Sequence, residues 1–282
     1  MKFFTILFFL CFSASITAKE LKKVTFHVDE WCPYNCDQEM PKKGYVVDIV
    51  KKIFGDAGYE VDVKIVTWSR AISDLIKGKS DVIFGLGYGG VFDEEVLEAR
   101  KDISDKEAVK AVNDEKISTV LGAGSQEFFA LKSEKIKWDY SRSIAENSKN
   151  FMLGIQQDYD YGEEIMDYLA SNPKGHLTIA GDDPLARLMK MADKGRINLI
   201  PEDKNAFLSA ASALNRADDF ESVFDQPDSF KEDSDLLLVF SPKDKKRSQK
   251  LNQIVHDGLS KIRKNGELKK ILDKYGLKDW KD

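Results

Sequence analysis

Histidine and cysteine are scarce in this sequence, three of each among 282 residues. His27, His176 and His256 lie far apart, and a structural metal site needs about four ligands brought together. No cluster or ligand spacing supplies them, so no metal and no other cofactor is expected. No Gly-, Pro- or Ser-rich linker and no internal repeat interrupts the chain. Positive charge is not in excess: 43 Lys and Arg against 48 Asp and Glu give a formal net charge of −5. An acidic chain without a basic stripe is a poor partner for nucleic acid or an anionic membrane. A nucleophile motif and a phosphate-binding loop are also missing, so the expectation is a protein that is not an enzyme.

Long apolar runs are absent with one exception. Lys2 is followed by the apolar stretch from Phe3 to Phe12 and by small residues from Ser13 to Ala18. That order is the charged, apolar and cleavage region of a secretory signal peptide. The run is shorter than the roughly 20 residues that cross a bilayer; a short membrane anchor is the alternative. Cleavage is expected after Ala18, with Cys11 in the discarded segment 1–18, and export places the mature chain in the periplasm. Cys32 and Cys36 are the remaining cysteines. In an oxidising compartment their default state is a disulfide.

What is present is a regular α/β pattern. Hydrophobic residues make up 42% of the chain, enough for one sizeable core or two modest ones. Val24 to Val28, Val61 to Ile65 and Asp81 to Gly85 read as strands. Tyr45 to Phe54 and Trp68 to Ile76 carry apolar residues at helical spacing, the second ended by Gly78. The pattern recurs: strands at Phe151–Ile155, Leu177–Ala180 and Ile197–Ile200, with helices at Glu163–Ala170, Leu185–Ala192 and Ala206–Leu214. Leu236 to Phe240 is a further strand, and Ser248 to Tyr275 holds two helices broken near Gly266. Strands alternating with helices indicate βαβ units and mainly parallel sheets, and the doubling suggests two lobes. Phe92 to Ser118 is charged and weakly patterned, and reads as exposed.

Several stretches, in order, resemble the extracellular solute-binding proteins of polar amino-acid uptake systems. They are Trp31-Cys32-Pro33-Tyr34, Gly44-Tyr45-Val46-Val47-Asp48, Trp68-Ser69-Arg70-Ala71, Glu98-Ala99-Arg100, Phe128 to Lys132, Gly195-Arg196-Ile197-Asn198 with Asp203, Phe240-Ser241-Pro242 and Lys274-Tyr275-Gly276-Leu277. The resemblance implies a type II periplasmic binding protein fold, two α/β lobes joined by a two-strand hinge that close on a ligand. Lobe 1 would comprise 19–132 plus 227–282, and lobe 2 would comprise 133–226. A monomer is expected. Its partners would be a small amino acid or amine and an inner-membrane ABC permease. A binding protein that reports to a membrane sensor, or a dehydratase-like enzyme on the same fold, is the alternative.

The resemblance also assigns site residues. Trp31 and Trp68 fall where relatives flank the ligand with aromatics, which attract a cation; core packing is the alternative for each. Arg100 matches an arginine that grips a carboxylate through a planar fork, or is a solvated surface residue, or latches the lobes. Asp203 matches a carboxylate that receives a ligand ammonium, or caps a helix. Gly85 and Gly87 stand where relatives have hydroxyl-bearing residues, and would make room for a bulkier ligand or let backbone groups approach it. In lobe 2, Asp158 and Tyr159 stand, with Asp160, where relatives have a Gly-Thr-type turn that holds a carboxylate. Acids there favour a cationic or amine group on the ligand.

Overall fold

The computed structural model describes residues 22–86, 115–139, 142–157, 159, 161–181, 183–225 and 235–281. The signal peptide 1–18, and the site candidates Gly87, Arg100 and Asp158, lie outside them. In chain order the first half gives β1 (Lys22–Val28), α1 (Tyr45–Asp56), β2 (Tyr59–Ile65), α2 (Trp68–Ile76), β3 (Val82–Leu86), β4 (Ser118–Ala123) and β5 (Gln126–Leu131). Then come α3 (Ile144–Ser148), β6 (Leu153–Gln156), α4 (Glu163–Ser171), β7 (His176–Ile179), α5 (Pro184–Asp193), β8 (Ile200–Asp203), α6 (Lys204–Ala213) and β9 (Phe220–Asp225). The chain closes with β10 (Asp235–Phe240), α7 (Lys245–Lys264) and α8 (Glu267–Tyr275). Among the described residues no helix is long and apolar enough to cross a membrane.

The larger sheet runs β2-β1-β3-β10-β4, with β1 parallel to β2 and β3, and β10 antiparallel to β3 and β4. Alternation along each strand decides which face a residue takes. Val24, Phe26 and Val28 share one face of β1, fully buried against Ile49, Ile53 and Phe54 of α1 and against apolar residues of α7 and α8. Ile83, Leu237 and Val239 take the opposite face, under Trp68, Ala71, Ile72 and Leu75 of α2. Helices therefore cover both faces, as a mainly parallel sheet requires. Gly258 of α7 lets α1 approach: a Cβ there would lie 2.5 Å from Ile53 Cγ2. Gly258→Val should push these helices apart and cost about 1–3 kcal/mol by overpacking, read as a lower urea midpoint at unchanged slope.

The second lobe repeats the plan. β5 is antiparallel to β8 and β9, and β6 is parallel to β7. A parallel bridge between Leu153 and Leu199 joins these two pieces just before β8 begins, so the running order is β7-β6-β8-β5-β9. The strand expected at Ile197–Ile200 starts instead at Ile200. Asn198 before it is used to hold the start of β6, its side-chain oxygen accepting from Met152 N at 2.9 Å.

The chain leaves the larger sheet after β4, and β5 pairs with β8 and β9 of the smaller one. The reason lies in its neighbouring phenylalanines. Phe128 and Phe129 point to opposite faces of β5, and each is buried in a separate second-lobe cluster, one with Leu153 and Ile165, the other with Leu188 and Phe207. The start of the return leg, expected at Pro227, lies outside the described residues.

Candidate ligand-binding cleft

The carboxyl end of β1 leads into a tight loop. Trp31 N donates to Asn35 O at 2.7 Å, and Tyr34 N and Asn35 N donate back to Trp31 O at 2.9 and 3.0 Å. The expected disulfide joins Cys32 to Cys36 around this turn. Trp31 stacks on the buried Tyr34 ring, with centroids 4.2 Å apart, and Tyr34 in turn stacks on Phe84 of β3. Beside Phe84, Gly85 has φ +118°, and a Cβ there would meet the Trp68 ring at 3.7 Å and the Trp31 ring at 3.8 Å. The two indoles thus flank Gly85, at the carboxyl end of a parallel strand, where open α/β sheets take their ligands. Trp68 packs on the α2 side of the core, and its ring also borders Gly85.

Lobe 2 meets this wall with a carboxylate that the sequence reading passed over. Glu202, at the end of β8, is buried. Its Oε1 accepts from Trp31 Nε1 at 3.1 Å across the lobes and from Asp203 N at 2.8 Å. Its other oxygen accepts from the Gln156 amide at the end of β6. Burial drives the Glu202 carboxyl up to about 8, against the hydrogen bonds from Trp31 and Asp203 N, and the charges of Asp203 and Asp29 add to the rise. A glutamate next to the last position of a strand, directly after Ile200 and Pro201, was the signal available in the sequence.

Asp203 itself takes the capping role. It is the N-cap of α6, accepting from Ala206 N at 2.9 Å. Ser125 N at the lobe crossover donates to it at 2.9 Å, and Tyr34 OH from lobe 1 at 3.0 Å. With three donors already on it, Asp203 pins the hinge and the first-lobe wall, and Glu202 is the acid that faces the indoles. Burial still outweighs those bonds and raises Asp203 to about 6.

Tyr159 lies between the lobes, packed against the α2 cluster on one side and the β6 cluster on the other. Its hydroxyl donates to Asp29 Oδ2 at 2.5 Å. Asp29, the first residue after β1, is lifted to about 6 by burial, with the Tyr159 bond opposing. The structure therefore brings Trp31, Trp68, Gly85, Tyr159 and Asp203 together, and adds Asp29, Tyr34, Gln156 and Glu202. Glu127, another second-lobe carboxylate, is held by Lys204 Nζ at 2.7 Å. Among the described residues no group of His, Cys, Asp and Glu is arranged to hold a metal ion. Aromatic faces beside buried acids form a site that favours positive charge, because the ring quadrupole attracts a cation and a cation in turn favours the charged form of the raised carboxyls.

Comparison with curated proteins gives no match. Among solved structures, one described with glutathione import and the cystine ABC importer of Streptococcus mutans is similar, with a TM-score of 0.67 at 17% identity, covering 93% of this chain and 99% of that one. An ancestral arginine-binding protein bound to arginine gives 0.63 at 16% identity over 90% of this chain and 98% of its own. A histidine kinase sensor domain with similarity to periplasmic binding proteins gives 0.60 at 17% identity, over 91% and 96%. At such identities the likeness is one of fold, and it agrees with two α/β lobes of matching strand order. Family membership rests on the sequence: the model of the bacterial extracellular solute-binding proteins, family 3, matches residues 24–278, from the first strand past the last helix, and the chain belongs to that family.

Proposed function

We propose that this protein captures a small periplasmic solute with an amine or other cationic group, most simply an amino acid or related amine, and delivers it as a monomer to an ABC importer. The observation that carries the reading is Glu202, a buried acid hydrogen-bonded to Trp31 across the cleft. Trp31 and Trp68 would lie against the body of the solute, Gly85 would give it room, and Glu202 with Asp29 would meet its charge. Gly87, Arg100, Asp158 and Tyr159 complete the proposed site on the strength of the family resemblance. Arg100 would take the carboxylate of a zwitterion.

A ligand that binds the native state raises the melting temperature, by about 2.7 kcal/mol of stabilisation at a hundred times its Kd. A thermal-shift screen should therefore respond to arginine, lysine, histidine or small diamines, and not to glutamate or simple dicarboxylates. By calorimetry, Glu202→Gln should weaken the best cationic hit about tenfold or more, the scale of a hydrogen bond to a charged group. Trp31→Ala should weaken it by about 0.5–2 kcal/mol. A purely anionic solute bound equally well by the wild type and Glu202→Gln would end the proposal.

A second reading keeps the ligand and changes the recipient. The likeness to a histidine kinase sensor domain favours reporting of the solute to a membrane sensor. Crosslinking in intact cells, followed by identification of the membrane partner as permease or kinase, separates the two.

A further inference from the structure

The cross-lobe hydrogen bonds described above all use side chains of a single loop, Asp29 to Cys36. Asp29 accepts from Tyr159, Trp31 donates to Glu202, and Tyr34 donates to Asp203. The shape of this loop is set by short-range ties. Trp31 and Asn35 bond to each other in both directions through the backbone. The Asn35 amide donates to Asp29 O at 3.1 Å. Cys36 N is anchored to Lys43 O at 3.0 Å, at the approach to α1. The remaining tie is covalent: the disulfide joins Cys32, next to Trp31, to Cys36, next to Asn35. It encloses Tyr34 and begins directly after Trp31, two of the three residues whose side chains reach across the cleft.

We infer that the Cys32–Cys36 disulfide is the positioning element of the closed cleft: it holds the loop in the shape that lets lobe 1 bond to lobe 2, and its reduction to two thiols releases that latch. The inference rests on the cleft between the lobes as the binding site, and not on the charge of the solute. Hydrogen bonds weaken steeply once distance and angle drift, and three bonds from one short loop drift together. The bridge spans a sequence separation of 4. A loop this short restrains the unfolded chain less than a long one does. The loop gives Tyr34 to the first-lobe core, with Trp31 against it, and the rest of both cores lies elsewhere, in the helix-covered faces of the sheets. Loss of the bridge should therefore be felt at the cleft before it is felt in the fold. Cys36 is buried, and Cys32 is partly exposed, which gives a reductant an approach from the Cys32 side.

The reductant is a phosphine or a dithiol, which supplies two electrons. With the phosphine TCEP, phosphorus attacks one sulfur and the other leaves as a thiolate that takes up a proton. Water then splits the phosphorus–sulfur bond, giving the second thiol and the phosphine oxide.

The test needs no ligand. The full mature protein, labelled with 15N, contains four tryptophans, and each gives an indole N–H signal. On adding TCEP, solvent exchange of the Trp31 indole N–H should accelerate about tenfold or more, as expected when a hydrogen bond to a carboxyl group is lost. Trp138 and Trp280 should keep their rates. The Cys32→Ser, Cys36→Ser double variant should match the reduced wild type; if it fails to fold, reduction of the folded wild type decides alone. In Glu202→Ala the Trp31 indole should already exchange fast, and TCEP should add little, because both changes act on the same bond. An unchanged Trp31 rate after confirmed reduction overturns the inference. So does acceleration of all four indoles together, which would make the bridge a general staple. A protein that binds no cation in the thermal-shift screen can still pass this test, so the two proposals fail separately.

Discussion

Raising the pH from 5 to 9 is expected to lower the stability of this protein by several kcal/mol. The origin is three buried carboxyls: Glu202 raised by burial to about 8, and Asp29 and Asp203, also by burial, to about 6. In the unfolded chain all three titrate near 4. Between those limits the folded form holds more protons than the unfolded form, so stability falls as pH rises. The stabilisation is complete below the unfolded values, declines from about pH 4, and is gone once the pH passes the folded value of Glu202. At about 1.4 kcal/mol per unit, Glu202 alone contributes on the order of 4 kcal/mol. The two aspartates add less than their separate sums, because the three titrate together. Denaturant midpoints at pH 5, 7 and 9 check the slope, and Glu202→Gln should flatten its upper half and gain stability at pH 9. Opening the lobes hydrates the same carboxyls, so small-angle scattering should give a larger radius at pH 9 than at pH 5. Stability that climbs from pH 5 to 9 would refute the account.

Phe207→Ala should be among the most damaging single changes in lobe 2. Phe207 of α6 is fully buried. It lies flat on Phe129 of β5, with centroids 3.8 Å apart and planes within 2°, and Phe220 of β9 meets it edge-on at 5.3 Å. These rings tie a helix to two strands of the smaller sheet. Truncating a buried Phe to Ala costs about 3–5 kcal/mol, from lost transfer energy and the cavity left behind. Phe207→Leu retains much of the volume and should cost about 1–2 kcal/mol. Urea melts followed by circular dichroism distinguish the two, and a Phe207→Ala loss under about 1 kcal/mol would show that the site collapses without consequence.

Most of the architecture was legible in the sequence because its period is unambiguous. Tyr45–Asp56 and Trp68–Ile76 form where apolar residues recur at helical spacing, and Gly78, at φ +71°, follows the second helix as expected. What was missed had weaker local signals. β4 reads Ser-Thr-Val-Leu-Gly-Ala, and its place beside β10 is set by a partner more than a hundred residues later. β5 was not read as a strand, because Phe128, Phe129, Ala130 and Leu131 are apolar on both faces and alternation therefore says nothing. The short helix α3 did carry a signature, the Ser143/Glu146 capping box, which five helical residues were too few to reinforce.

The site was legible in part for the same reason. Trp31, Trp68 and Gly85 were found through family order, and the structure draws them together. Glu202 was not singled out beside Asp203. Both acids follow Pro201, and sequence alone does not say which one turns inward to meet the indole and which turns back to cap α6. That choice is made by tertiary neighbours, Trp31 for one and Ser125 with Tyr34 for the other.

The strand order of the larger sheet has a consequence for assembly during export. β10 sits between β3 and β4, in the interior of the sheet, yet it is the last strand to be made. Until it arrives, β3 and β4 have no shared neighbour and the first lobe is two unconnected pieces. The strands of the smaller lobe, β5 to β9, form one unbroken stretch of chain, so all its pairings can be satisfied earlier. The lobe encoded first is thus completed last. Its closing step has high contact order, which slows folding and prolongs exposure of unpaired edges, and a truncation before Asp235 would leave a finished second lobe tethered to an unfinished first one.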